Sequence, residues 1–303
     1  GSDTRYNYRK ATDGFTYGKT SAYVLTNTNQ GYGYTANVPI NASPVKNLNI
    51  MAAYTRTDSK EISGMPGSAA TSAYSSLYSV NGPNYTTLQR SQYVIPDKVM
   101  ANVSYFIPFE VFGGNGFHVN AYYTAYSGLA NSFIYSNDMN GDGIASDLIY
   151  IPKNENDILF KTQEDATAFM KFVNADSYLS KHKGQYAEAY AARTPWLHLL
   201  DLRIAEDFAF RGGDRWHKFE VSVSFNNLLN LFDSKLGVNR LSCYQTGITN
   251  TSAPLKDEET NAEGKPVFSM VKVDGNYPVE NYTRYYENSS QCWSVLFGLK
   301  YSF

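Results

Sequence analysis

The stretch that decides the fold is the last one, Gln291–Phe303, QCWSVLFGLKYSF. Alternate residues Trp293, Val295, Phe297, Leu299, Tyr301 and Phe303 form an unbroken apolar and aromatic series, and between them lie Ser294, Leu296, Gly298, Lys300 and Ser302. A period of two held over that length specifies a β-strand with one greasy face and one mostly small or polar face. A soluble sandwich buries such a face against a second sheet. An outer-membrane barrel shows it to lipid, with aromatic side chains at both interfaces.

The same alternation recurs upstream. Phe219, Val221, Val223 and Phe225 form one set, and Leu200, Leu202, Ile204, Phe208 and Phe210 another, with Glu206 the one charge out of phase. Phe117, Val119, Ala121, Tyr123 and Ala125 make a third, and Val99, Ala101, Val103, Tyr105 and Ile107 a fourth. Leu48, Ile50, Ala52 and Tyr54, then a weaker run over residues 31–41, bring the expected number of strands to seven. The joins at 42–47 (ASPVKN), 108–116 (PFEVFGGNG) and 211–217 (RGGDRWH) are short and rich in turn residues, while those at about 60–92, 128–197 and 229–290 are long. Short and long joins alternate, as in an up-and-down barrel with short periplasmic turns and long extracellular loops. Trp293 and Tyr301 are eight residues apart, roughly 19 Å of height for a tilted strand, close to the apolar band of such barrels. Seven strands cannot close a single-chain barrel of this kind, so a portion of a larger barrel is expected.

Composition agrees with this reading. Among 303 residues, tyrosine (26) outnumbers phenylalanine (17) and tryptophan (3), which suits side chains with an apolar body and a wet tip. The net charge of −2 and the absence of a basic stripe argue against a nucleic-acid partner. No stretch approaches eighteen consecutive apolar residues, which excludes a transmembrane helix but not a barrel. The opening GSDTRYNYRK has neither an initiating Met nor a leader, so a fragment or processed piece of a secreted chain is expected.

FNNLLNLFDSK (residues 225–235) resembles the segment that ends the penultimate strand of TonB-dependent outer-membrane receptors. The terminal aromatic strand resembles the assembly signal of the same barrels. NDMNGDGIASDLIYIP (137–152) and GQYAEAYAARTPW (184–196) are similar to segments of the Oar-like, carboxypeptidase-regulatory-domain-containing branch of these receptors from Bacteroidetes. The resemblance spans most of residues 20–303. It implies an all-β, antiparallel transmembrane barrel portion from a barrel of about 22 strands, with long extracellular loops, one partly helical. Residues 1–30 are then the remnant of an extracellular loop and 31–303 the C-terminal part of the barrel. It further implies a cell outer membrane location, lipid around the barrel, a preceding plug domain, TonB as the energising partner, barrel-assembly machinery acting on the last strand, and uptake of a ligand. Nothing in these residues matches a plug or a TonB-contacting segment. The competing readings are a non-transport surface protein, such as an adhesin or structural barrel, and, further behind, a soluble calcium-stabilised lectin-like sandwich.

Five candidate features follow from the residues. Asp138, Asn140 and Asp142 stand at positions 1, 3 and 5 of a loop with Gly143 at 6 and the Ile144 carbonyl at 7, the first half of a calcium loop. Ile149 occupies the place of the usual bidentate Glu, and Asp147 is the substitute ligand; the other reading is an Asx-rich turn satisfied by its own hydrogen bonds. Cys243 and Cys292 are the only cysteines, either bridged across a long loop or two separate thiols. Trp293, Tyr301 and Phe303 are expected in the membrane girdles. Thr162 with Asp165 caps an expected helix whose apolar face is Phe169, Phe172 and Val173. His118, His182, His198 and His217 show no catalytic or metal-binding spacing, and no enzyme is expected. Lys98, Arg203, Glu220 and Lys300 fall on the polar face, to pair there or with a plug.

Overall fold

The computed structural model describes residues 3–7, 23–85, 87–108, 114–245 and 251–303. The chain is all-β, and seven long strands form one antiparallel meander: β1 (Tyr32–Ala42), β2 (Leu48–Glu61), β3 (Asp97–Ile107), β4 (Gly114–Tyr126), β5 (Leu197–Gly212), β6 (Arg215–Asn226) and β7 (Ser294–Ser302). Neighbours in sequence are neighbours in the sheet. β1 and β7 are its outer long strands and do not pair with one another. Turns at one end are tight, as at Gly213, where φ is +61°. The 108–116 join lies partly outside the described residues, as do residues 1–2 and 8–22 of the expected loop remnant.

Register carries the alternation across the whole sheet. One row runs Ala42, Ile50, Val103, Ala121, Leu202, Phe225, Val295, each directly opposite the next. The adjoining row is Leu48, Tyr105, Val119, Ile204, Val223, Phe297. Directly opposed residues share a face, so one face is apolar from edge to edge. Glu206 lies on it between Phe117 and Val221, next to a register shift at Asp207 and Phe208. The other face carries Asn49, Ser104, Asn120, Arg203 and Ser224 in one row, ending on Leu296. Gly298 belongs to that face because a Cβ there would meet Ser222 Oγ at 2.5 Å.

The hydrophobic core lies elsewhere. Its buried cluster is built from residues 130–192 together with Leu255, Phe268 and Met270. These come from two of the long joins, which fold together into a loop layer around a five-stranded sheet in the order Ala192–Arg193, Ala130–Tyr135, Thr251–Thr260, Pro266–Met270, Leu159–Phe160. Two pairings in it are parallel, between 130–135 and 251–260 and between 266–270 and 159–160, so antiparallel order is a property of the long sheet and not of the whole chain. The helix Gln163–Ala175 begins at Thr162, whose Oγ1 accepts from Asp165 N at 3.1 Å, and buries Phe169, Phe172 and Val173. Asp165 Oδ1 in turn accepts from Met270 N at 2.9 Å and from Tyr277 OH at 3.0 Å, tying the helix to the second loop.

Phe172 is fully buried and packs edge-on against Phe133 and Tyr244. Phe172→Ala should destabilise the loop layer by about 3–5 kcal/mol, read as faster hydrogen exchange and proteolysis in residues 128–196. Phe297→Ala, at a side chain 77% exposed, should leave that region unchanged.

Candidate functional site

The long joins leave the sheet at the end opposite the tight turns, and a set of side chains fixes where they stand. Asn227 follows β6 in the left-handed conformation, φ +50°, and starts the short helix Leu228–Phe232. Its N–H donates to Asp201 Oδ1 at 2.7 Å, and its Nδ2 donates to the carbonyls of Gly237 (2.9 Å) and Gln291 (2.7 Å). Asn230 does the same one turn on, donating to the carbonyls of Ser234 and Leu236 and accepting from Trp293 N at 3.1 Å. Gly237 is required beneath it: a Cβ there would lie 1.9 Å from Asn227 Oδ1. The FNNLLNLFDSK segment is thus a staple that closes the loop and delivers the chain to β7.

Ion pairs add to this rim. Lys60 meets Glu188 at 2.8 Å, Arg90 meets Asp58 at 3.3 Å and Arg56 meets Asp97 at 2.7 Å. Within the layer, a buried polar cluster joins three segments: Ser252 Oγ donates to Ser242 Oγ at 2.7 Å, Ser242 Oγ to Asn281 Oδ1 at 2.6 Å, and Asn131 Nδ2 to Ser252 Oγ at 3.0 Å. The sequence gives no spacing by which these residues could be grouped. NDMNGDGIASDLIYIP and GQYAEAYAARTPW do meet, through Tyr150 opposite Tyr186 and Ile151 opposite Gln185.

The structure brings Asp138, Asn140, Asp142 and Asp147 together in one turn. Asp138 accepts from Gly141 N (2.7 Å) through Oδ1 and from Gly143 N (2.8 Å) through Oδ2. Asn140 Oδ1 accepts from Asp142 N, and Asp142 Oδ1 from Ile144 N, at 2.9 and 2.8 Å. Asp147, 2% exposed, accepts from Met139 N at 2.9 Å and from Asn140 Nδ2 at 2.6 Å. These bonds order the turn by themselves. Among the described residues no three His, Cys, Asp or Glu side chains group as a metal-ligand set.

Of the two readings of the cysteines, the structure has the two separate thiols: Cys243 and Cys292 are free. Cys243 is half-buried beside the polar cluster, its N–H donating to Asn281 O at 2.6 Å, and burial pushes the thiol up to about 11. Cys292 is exposed on the rim, its Sγ 3.8 Å from Asn288 O. The two belong to different local structures, one inside the layer and one at the entry to β7.

At the tight-turn end, the aromatic residues gather. Tyr301 stacks with Phe303 and His217 and meets Phe219 at a tilt, and its hydroxyl lies 2.6 Å from His217 Nδ1. Trp293 is exposed at the opposite end of β7. On the polar face Arg203 meets Glu220 at 2.6 Å, and His118, which had no legible partner, lies 2.9 Å from Asp207. Cavities of about 470, 510 and 390 Å³ open into the loop region, the first lined by Tyr6, Asn81, Tyr85, Tyr186 and Glu188 among others.

No family model, curated protein or solved structure matches this chain.

Burial pushes the Asp147 carboxyl up to about 6, although the Met139 and Asn140 N–H groups and the Arg5 charge act the other way. With its folded value above its ordinary one, the group's contribution is fully present below about pH 4 and is lost as pH rises through about 6. Amide protection over residues 138–148, corrected for intrinsic exchange and measured in chelator, should therefore fall between pH 5 and pH 7. Asp147→Asn should flatten that step; an unchanged profile in the variant would assign it to another group.

Proposed function

We propose that this chain is the C-terminal part of a TonB-dependent outer-membrane receptor, which takes up a ligand met by the external loop layer through a plugged barrel. One observation carries the reading: an antiparallel meander with tight turns at one end, folded loops at the other, and an apolar face without protein cover. Ile40 is 61%, Leu299 74% and Phe297 77% exposed. A soluble protein does not leave so continuous a face in water, whereas lipid is its natural solvent. Strands of nine to sixteen residues meet the length needed to span a bilayer at a tilt. That no helix is long and apolar enough to cross a membrane leaves this reading untouched.

The open edges of β1 and β7 present unpaired N–H and C=O groups, which further strands of the same barrel would satisfy. In this proposal Arg203, Glu220 and Lys300 face the lumen and the plug, Tyr301 and Phe303 lie in the periplasmic girdle and Trp293 in the outer one. TonB acts on the plug, and the barrel-assembly machinery acts on β7. A non-transport surface protein is the second reading, favoured by the loop layer's having a core of its own. A plug with a TonB-contacting segment encoded upstream supports uptake, and its absence supports display.

In a chain whose own cysteines are replaced by serine, Phe297→Cys should react with a lipid-soluble thiol reagent and Lys300→Cys with a water-soluble one. Reversed accessibility sinks the membrane reading, because a one-residue slip exchanges the faces. Phe297→Arg should impair insertion, at a cost of about 2–4 kcal/mol near the midplane.

A calcium role for Asp138, Asn140, Asp142, Ile144 and Asp147 belongs to the same proposal, as an ordering ion and not a substrate contact. An ion there must share the Asp138 and Asp142 oxygens with their backbone donors, so affinity should be modest, on the order of 10⁻⁴ to 10⁻³ M. Isothermal titration beside the Asp138→Ala/Asp142→Ala variant decides it, and equal heats reduce the motif to a turn.

A further inference from the structure

Residues 3–7 run against the loop layer, on residues distant from them in sequence, and their contacts are those of a bound peptide. Thr4 N donates to Tyr186 OH at 2.6 Å, the Tyr186 hydroxyl donates to Asp3 Oδ1 at 2.8 Å, and Tyr6 N donates to Asn81 Oδ1 at 2.8 Å. The Tyr6 ring meets Tyr85 at 5.1 Å. Between these fixed points Arg5 is buried, 8% exposed, in a socket of matched shape and charge. Its guanidinium lies over the Tyr135 ring at 4.8 Å and near the Tyr186 ring at 5.5 Å. Nη2 donates to Leu148 O at 2.9 Å, and Nε donates to both Asp3 oxygens at 3.2 and 3.0 Å.

The layer supplies more negative charge than the strap uses. Asp147 and Asp257 both lie within the electrostatic reach of the guanidinium. Asp257 Oδ1 and Arg5 Nη1 are each buried without a hydrogen-bond partner, so the socket holds an acceptor and its occupant a donor still unspent. A flat aromatic floor, a carbonyl at the edge and carboxylates beyond fit a planar five-donor fork; they do not fit an ammonium, which has no plane to stack. The cavity of about 470 Å³ continues past Tyr6 along Asn81, Gln89 and Glu188, leaving room beyond the four residues that make the contacts.

We propose that this groove of the loop layer is a peptide-recognition site selective for an arginine side chain, and that residues 3–6 are an internal occupant that an arginine-bearing extended peptide in trans can replace. The site is defined by Tyr135, Leu148, Tyr186 and Asp257, with Asn81 fixing the peptide backbone. It stands on the loop layer alone and holds whether or not the long sheet lies in a membrane.

The test uses the full chain and a labelled acetyl-Asp-Thr-Arg-Tyr-amide followed by fluorescence anisotropy. Arg5→Ala empties the socket and should bind the peptide about tenfold or more tighter than the wild-type chain, whose own strap competes as a linked ligand. Citrulline in place of arginine in the peptide, or Asp257→Asn added to Arg5→Ala, should each weaken binding about tenfold through the lost attraction between the guanidinium and the socket's carboxylates. Absence of saturable binding by a folded Arg5→Ala chain, or equal binding of the citrulline peptide, overturns the proposal. Should Arg5→Ala fail to fold, hydrogen exchange on the wild-type chain gives the answer. Arginine amide at millimolar concentration should accelerate exchange at residues 3–6 and lysine amide should not; equal effects overturn the selectivity.

Discussion

Everything in this structure depends on the register held across seven antiparallel strands. Each long strand has one apolar and one mixed face, and a slip of one residue at any pairing would break the apolar surface in two. It is not broken. The row from Ala42 to Val295 crosses all six interfaces without a polar residue, and the single shift, beside Asp207 and Phe208, falls near Glu206, a charge set between Phe117 and Val221, whereas Arg56, Asp58, Lys60 and Asp97 lie on this face only towards its loop end. The backbone ladder therefore does two tasks at once. It satisfies the peptide groups of the inner strands, and it gathers the apolar side chains on one side, where no other part of the described chain covers them.

That arrangement inverts the usual distribution of burial. In a soluble domain the longest strands line the core, whereas here they contribute nothing to the buried aromatic cluster, which the joins between them hold, and the outer strands β1 and β7 are exposed along most of their length. The physical reason lies in the lengths. A two-residue turn has nothing to bury, but joins of some seventy and sixty residues face an ordering entropy of about 1–2 kcal/mol per residue of backbone, which only a core of their own can offset. Phe133, Tyr135, Phe169, Phe172 and Phe268 provide it. The loop layer is accordingly a folded body set on the sheet, and binding features in it are held by packing as firm as that of an ordinary domain.

The long strands were legible because their signal is local: a period of two needs only one strand to be read, and the alternation of short and long joins needs only counting. The helix was legible for the same reason, since Thr162, Asp165 and the Phe169–Val173 face lie within a dozen residues of one another. The loop layer's sheet was not. Its central pairing sets Ser132 beside Thr251, across more than a hundred residues and in parallel, and nothing in either segment names the other. The cysteines were undecided for the same reason, because two lone cysteines leave a bridge and separate thiols equally open, and only the local structures around Cys243 and Cys292 separate the two. Arg5 stands in a segment, GSDTRYNYRK, that carries no motif. Its partners Tyr135 and Leu148 lie at a distance in sequence that no motif spans.

How firmly the layer is tied to the sheet follows from which contacts carry the load. The rim ion pairs are partly exposed, with side chains from 19% to 44% accessible, and such pairs contribute about 0–1 kcal/mol each and fade with salt. The amides of Asn227 and Asn230 are 8% exposed and bond backbone groups directly, where an unmade bond costs about 1–3 kcal/mol. The staple after β6 therefore outweighs the ion pairs and anchors the layer at the β5–β6–β7 side, through Asp201, Gln291 and Trp293. On the β2 side Lys60 and Arg90 reach Glu188 of the layer through ion pairs that rearrange at little cost, while residues 89–91 are held to β2 by backbone pairing. A displacement of the part of the layer that carries Glu188, whatever drives it, should then pivot about the Asn227 staple and break the Lys60 and Arg90 pairs first, with residues 89–91 staying on β2.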